Sequence, residues 1–148
     1  MFSRFEFALK SVGYMKPQGK LKKSGMHAGV GPDWKEFATV TEMEFYQSIP
    51  KEVAMAIDCF KARPPMLQVG ASDWVQDGAT ANRDSLAWLL FMVGRVRNNL
   101  FHGGKYPFAF VEPSRDAELL EHSLTILRHC LAVSKPVGAA FENFHIGT

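Results

Sequence analysis

Apolar residues recur every three or four positions at the start of the chain. This spacing predicts a helix over Phe2–Val12, which Gly13 ends. Residues 14–33 are rich in glycine, proline and lysine, and we predict a long basic loop there. Its lysines either contact phosphate or lie in solvent.

Two further helices are predicted on either side of Pro50. Thr41 and Glu44 have the spacing of a capping box, so the first helix is expected to begin near Thr39 or Thr41. Proline suits the first turn of a helix, so the second is expected to start at Pro50 and to end before the next proline pair. The segment after that proline pair shows no clear period, and a short strand around Leu67–Val69 is one alternative for it.

The clearest apolar stripe lies in the second half of the chain. It predicts a helix over about Asn82–Leu100, which Gly103-Gly104 ends. A last long helix is expected from Ser114 or Asp116 to Pro136, with a short helix after it.

The chain is predicted to be one domain over residues 1–148, because no repeat or biased segment divides it. No long stretch shows the period-two alternation of a strand. The predicted fold class is therefore all-α, an up-and-down bundle of four to five helices with a long N-terminal loop.

Charge and cysteine content restrict the candidate functions. The formal net charge is only +2, so any contact with nucleic acid has to come from a local patch. Cys59 and Cys130 form no CxxC pair and are expected to be reduced thiols. Neither a leader sequence nor an apolar run near the roughly 20 residues of a membrane span is visible, so we expect a cytoplasmic protein with no membrane partner.

One segment near the end of the Asn82–Leu100 helix carries candidate chemistry. Arg97 follows Val93 by four residues, which predicts a position on the apolar side of the helix. A guanidinium there needs a partner or has to face a cleft, because burying it unpaired is costly. His102 follows five residues later, with Asn98 one turn before it. If the helix ends at the glycine pair, these side chains can face one crevice.

An arginine, a histidine and an amide in one crevice suit cleavage of an RNA backbone. Histidine titrates near neutral pH, so His102 can act as general base or general acid. The planar guanidinium of Arg97 can donate hydrogen bonds to the phosphate oxygens. Asn98 can orient His102 or hold a phosphate oxygen. The chemistry requires no metal, and we predict no metal or other cofactor. The same segment also suits an ordinary helix C-cap, since histidine favours the helix C-terminus and glycine the left-handed turn.

The run Arg97-Asn98-Asn99-Leu100-Phe101-His102-Gly103-Gly104-Lys105 resembles the signature of the HEPN superfamily (higher eukaryotes and prokaryotes nucleotide-binding). That signature is an arginine, usually followed by a polar residue, and a histidine after four to six intervening residues. The resemblance implies a metal-independent endoribonuclease in which Arg97 and His102 are catalytic, Asn98 supports them, and the product ends in a 2′,3′-cyclic phosphate. It also implies a homodimer with motifs of both chains lining one cleft.

Some members of the superfamily are toxins restrained by an antitoxin, or act in defence against phage. Toxins paired with nucleotidyltransferase antitoxins tend to have a tyrosine two residues after the histidine, where this chain has Gly104. Other members are catalytically inert. The alternative function is therefore a non-catalytic helical module that binds RNA, a nucleotide or a protein partner. A third hypothesis is that the protein is a purely structural dimer in which Arg97 belongs to a buried ion pair.

The remaining candidate residues are expected to have structural roles. His122 and His129 share a face of the last long helix and are expected at the surface or its rim, with His122 paired to Glu118. Phe101 and Tyr106 flank the glycine pair and either stack an unpaired base or pack in the bundle.

Overall fold

The computed structural model describes residues 1–21, 27–65, 67–68, 74–75, 82–103 and 113–143. These residues contain six helices: α1 (Phe2–Val12), α2 (Trp34–Gln47), α3 (Lys51–Ala62), α4 (Leu86–Gly103), α5 (Pro113–Val133) and α6 (Lys135–Glu142). Two antiparallel pairs of strands accompany them: β1 (Met15–Leu21) with β2 (His27–Pro32), and β3 (Leu67–Gln68) with β4 (Trp74–Val75). The fold is mostly helical, as predicted, but it has six helices in this part of the chain instead of four to five.

The first helix has the bounds that its apolar spacing predicts. Gly13 follows it with a φ of 104°, in the left-handed region that glycine adopts without a steric penalty. The N–H groups of Gly13 and Tyr14 then donate to the carbonyl oxygens of Lys10 and Leu9. The end of α1 is therefore fixed by a local signal.

The prediction of a long N-terminal loop over residues 14–33 is wrong, because most of this segment forms a β-hairpin. β1 and β2 pair from Met15 opposite Pro32 to Gln18 opposite Gly29, and the register is irregular beyond that point. Glycine and proline disfavour strands locally, but pairing between two strands supplies backbone hydrogen bonds that outweigh local preference. Lys22 and Lys23 lie outside the described residues.

The second helix begins earlier than predicted. Its N-cap is Asp33, whose carboxylate accepts a hydrogen bond from the backbone N–H of Glu36 at 3.1 Å. Thr41 is buried inside α2 and does not start it. Asp33 and Glu36 have the same spacing as Thr41 and Glu44, so the sequence contains two candidate capping boxes. The earlier one allows Phe37 to enter the core.

The main contacts between helices join α1 with α6, α2 with α4 and α3 with α5. The predicted up-and-down order, in which chain neighbours pack together, holds for α4 with α5 and for α5 with α6, but not for the first three helices. Arg4 Nε on α1 donates to the carbonyl oxygen of Phe141 on α6 at 2.7 Å. The core contains fully buried side chains from all six described helices, among them Phe5, Phe37, Phe45, Phe60, Leu89, Val93, Ile126, Leu127 and Val137.

None of the helices in the described ranges is both long and apolar enough to cross a membrane.

Candidate functional site

The candidate segment lies in the last two turns of α4. Ser85 Oγ caps the start of this helix by accepting a hydrogen bond from the N–H of Trp88 at 3.1 Å. Glu42 Oε1, on α2, accepts another from the N–H of Leu86 at 2.8 Å. The apolar stripe of α4 is buried and includes Leu86, Leu89, Leu90, Met92, Val93 and Val96. The bundle therefore holds α4 firmly and fixes where the segment lies.

Arg97 has the partner that a position on the apolar side requires. Its Nη1 lies 2.7 Å from Glu6 Oε1 on α1, and the two side chains are 32% and 16% exposed. Its Nε is buried and has no hydrogen-bond partner among the described residues. The ring centre of Phe101 lies 5.5 Å from its guanidinium carbon. Arg97 is thus held by a carboxylate and an aromatic ring, and it retains donors that these contacts do not use.

The fourth helix does not break before His102. It continues through Gly103, the first residue of the glycine pair, so it extends three residues past the end predicted near Leu100; Gly104 lies outside the described residues. Each residue of a regular α-helix turns by about 100°, so the positions of Arg97 and His102 are about 140° apart around the axis. Asn98 is exposed and shares a helix face with His102 through their spacing of four. The backbone therefore groups Asn98 with His102, and not with Arg97. The side chain of His102 lies outside the described part.

One face of α4 stays exposed in the described chain. Phe91 is 60% exposed, Phe101 is 62% exposed, and a Cβ added at Gly94 would meet nothing within 4 Å. With Asn98, these residues follow one another at spacings of three and four, and we refer to the four as the α4 face. Large exposed apolar side chains grouped on one helix are typical of a surface that binds a partner. Tyr106, the other aromatic residue expected near the glycine pair, lies outside the described residues.

The two histidines of α5 differ in their surroundings. His129 is buried, with its Nε2 at 3.0 Å from the carbonyl oxygen of Phe45 and its ring packed edge-on against the Phe45 ring. The expectation that it lies at the surface or rim is wrong, because the ring fills space between α2 and α5. His122 Nε2 lies 3.6 Å from Glu118 Oε1, which confirms the predicted pair.

A cluster that the sequence did not reveal joins α3 to α5. Cys59 Sγ lies 3.7 Å from Glu118 Oε1, and donor atoms of Cys59, Glu118 and His122 all lie within 4.8 Å of one another. Burial, followed by the nearby Glu118 carboxylate, raises the pKa of the Cys59 thiol. We refer to these three residues as the Cys59 cluster. The spacing of Glu118 and His122 was its only sequence signal, since Cys59 comes from another helix.

The fold and the segment together define a helical-bundle protein whose candidate site is an arginine held by a carboxylate near the end of a long helix. In comparisons with protein-family models, with curated proteins and with solved structures, nothing matches this chain. The function has to be inferred from the chemistry of the residues themselves.

Proposed function

We propose that this protein is a metal-independent endoribonuclease of the HEPN kind, with Arg97, Asn98 and His102 as its site. The observation that supports this best is the ion pair of Arg97, whose Nη1 lies 2.7 Å from Glu6 Oε1 while 32% of the Arg97 side chain stays exposed. An arginine already fixed in place loses little freedom when it binds a phosphate, and it keeps further N–H donors for the phosphate oxygens. Asn98 and His102 add the amide and the titratable group that cleavage requires.

The proposed reaction transfers a phosphoryl group within the RNA. The ribose 2′-oxygen gives its proton to His102, acting as general base, and forms a bond to phosphorus. The bond between phosphorus and the 5′-oxygen breaks, and the 5′-oxygen takes a proton from a second histidine, acting as general acid. The products are a 5′-hydroxyl and a 2′,3′-cyclic phosphate. Arg97 stabilises the charge that increases on the non-bridging oxygens in the transition state.

A second copy of the chain supplies the second histidine in this proposal. The backbone positions of Arg97 and His102 lie about 140° apart around α4, and in this proposal residues of two chains complete the cleft. A two-fold dimer formed through the α4 face brings Arg97 of one protomer towards the partner's His102 and gives the cleft two histidines. Phe91 and Phe101, at 60% and 62% exposure, supply the apolar area for such a contact.

The test is a cleavage assay with EDTA-treated protein on labelled single-stranded RNA and on DNA of the same sequence. His102→Ala should lose about 10²–10⁴-fold in rate while keeping its helical circular dichroism and its oligomeric state. Arg97→Lys should lower kcat more than it weakens RNA binding, because lysine keeps the charge but lacks the planar fork of donors. The matched control is Arg128→Lys, at an exposed position of α5, which should cleave like the wild type. A His102→Ala protein that cuts RNA at the wild-type rate would disprove the proposal.

The ion pair of Arg97 with Glu6 also favours a second candidate, a non-catalytic module in which Arg97 is structural. In that case the protein binds RNA, a nucleotide or a protein partner without turnover. Arg97→Lys, which keeps a cation beside Glu6, should then leave stability and binding nearly unchanged. RNA binding that persists in His102→Ala, with no cleavage by either protein, is the result expected of this candidate.

A restrained toxin or defence effector is the biological role we propose for the enzyme. Uncontrolled cleavage of RNA stops growth, so expression of the wild type should arrest host cells and expression of His102→Ala should not. A co-expressed protein that restores growth would be the restraining partner. Equal growth with both proteins would remove the toxin role, and the cleavage assay would still test the enzyme.

A further inference from the structure

We propose that Cys59, Glu118 and His122 form a binding site for a divalent metal ion of the zinc type. The inference goes beyond the proposed ribonuclease, because the Cys59 cluster contains none of that site's residues. It is based on the distances between the donor atoms, on their charge, and on the contacts that hold α3 against α5.

Two of the three distances between donor atoms are nearly those that a tetrahedral zinc site requires. With zinc–sulfur and zinc–oxygen bonds of about 2.3 and 2.1 Å, sulfur and oxygen lie about 3.6 Å apart, and nitrogen and oxygen about 3.4 Å apart. Here Cys59 Sγ and Glu118 Oε1 are 3.7 Å apart, and His122 Nε2 and Glu118 Oε1 are 3.6 Å apart. All three donors lie within 4.8 Å of one another. Small rotations of the side chains therefore bring three ligands onto one ion.

The donors also have the right chemistry and charge for such an ion. Thiolate, imidazole and carboxylate are the three kinds of ligand that zinc takes in proteins. The thiolate and the carboxylate together neutralise a divalent cation. As the sulfur–metal bond forms, the thiol of Cys59 releases its proton to solvent. The side chains of His122 and Glu118 are 21% and 59% exposed, so the ion can enter and water can take the fourth position.

The helices that carry the ligands are fixed to each other next to the cluster. Arg115 Nη2, on the first turn of α5, donates to the carbonyl oxygens of Arg63 at 3.1 Å and Pro64 at 2.8 Å, just after α3 ends. The contact between α3 and α5 is also one of the main helix contacts of the fold. Preorganised ligands lose little freedom on metal binding, which favours a specific site over a chance group of side chains.

The experiment uses the full chain after removal of its purification tag and of bound metal by a chelator. Cobalt(II) is titrated first, because ligation by a thiolate gives an intense near-ultraviolet charge-transfer band. Zinc affinity is then measured by competition with a chromophoric chelator. We expect one ion per chain and a cobalt band in the wild type, and no band in Cys59→Ser. Zinc binding should weaken by about tenfold or more in Glu118→Gln and in His122→Asn.

Matched controls separate this site from unspecific binding. Cys130→Ala removes the other thiol, which is fully buried, and Glu121→Gln removes an exposed carboxylate on the same helix; neither should change metal binding. Glu118 is 59% exposed, so Glu118→Gln tests the site even if Cys59→Ser does not fold. A cobalt band that persists in Cys59→Ser, or equal zinc affinity in wild type, Glu118→Gln and Glu121→Gln, would mean an adventitious ion only and would overturn the proposal. The metal titration does not depend on cleavage of RNA, so the two proposals fail separately.

Discussion

The ion pair between Glu6 and Arg97 joins α1 to α4 at the candidate site, and it can be removed from either side. Glu6→Gln keeps the size of the side chain and removes its charge, so the guanidinium loses its anion. Arg97→Gln leaves a carboxylate that is only 16% exposed without its cation. The double variant removes both charges and completes a double-mutant cycle.

The expected coupling energy follows from the distance and the exposure of the pair. Two unit charges about 4 Å apart attract by about 4 kcal/mol at an effective dielectric constant of about 20. Solvent screening and desolvation reduce this value, since 32% of the Arg97 side chain is exposed. We expect a coupling of about 1–2 kcal/mol in the free energy of unfolding, between the values for exposed ion pairs and for hydrogen bonds to charged groups. Arg97→Gln should cost more than Glu6→Gln, because Glu6 is the more buried partner.

Urea unfolding of the four proteins measures this coupling, and thermal unfolding checks it. For a chain of 148 residues, each kcal/mol corresponds to about 2–4 °C in Tm. The same proteins are then assayed for RNA cleavage. If Glu6 positions Arg97, Glu6→Gln should lower kcat without weakening RNA binding. A coupling below about 0.3 kcal/mol, within the error expected for independent sites, would refute the idea that the pair holds Arg97 in place.

Three further outcomes are expected. Gly13→Ala puts a Cβ on a residue with a φ of 104° and should lower the free energy of unfolding by about 1–2 kcal/mol in urea denaturation; an unchanged value would contradict the left-handed cap. Burial and, after it, the charges of Glu42 and Asp84 raise the pKa of Tyr46 from 10.0 to about 12. As the pH rises, the phenol therefore ionises in the unfolded chain before it ionises in the folded protein, and the free energy of unfolding falls between pH 10 and about 12. Ultraviolet titration should show one tyrosine with this raised pKa in the wild type and none in Tyr46→Phe. If all tyrosines of the wild type titrate near pH 10, the shift is ruled out. In the proposed dimer, Phe91→Glu should give a monomer in light scattering and lower the proposed cleavage activity. Met43→Glu, at an 83% exposed position of α2, should do neither, and an oligomeric state unaffected by Phe91→Glu would exclude the α4 face as the interface.

Local signals explain why some elements could be predicted from the sequence and others could not. The bounds of α1 follow from its apolar spacing and from Gly13, both of which lie within a few residues of the helix end. The hairpin of β1 and β2 depends on pairing between Met15 and Pro32, which local composition does not encode. The start of α2 was missed for a different reason, because two capping boxes compete and tertiary burial of Phe37 selects the earlier one.

The candidate site shows the same limit. The position of Arg97 on the apolar side of α4 predicted that it needs a partner, since a guanidinium is not buried alone. That the partner is Glu6 could not be predicted, because α1 and α4 meet only in the folded protein. The Cys59 cluster was missed for the same reason: the spacing of Glu118 and His122 is local, but the thiol comes from α3.

The measurement that tests the central claim most directly is cleavage of RNA by the EDTA-treated wild type and by His102→Ala, with matched DNA as the control substrate. We expect the wild type to cut RNA and not DNA, to leave 2′,3′-cyclic phosphate ends, and to lose this activity in His102→Ala while the helical fold is retained. Carefully purified wild-type protein that cuts no RNA, or a His102→Ala protein that cuts it equally fast, would contradict the proposed function.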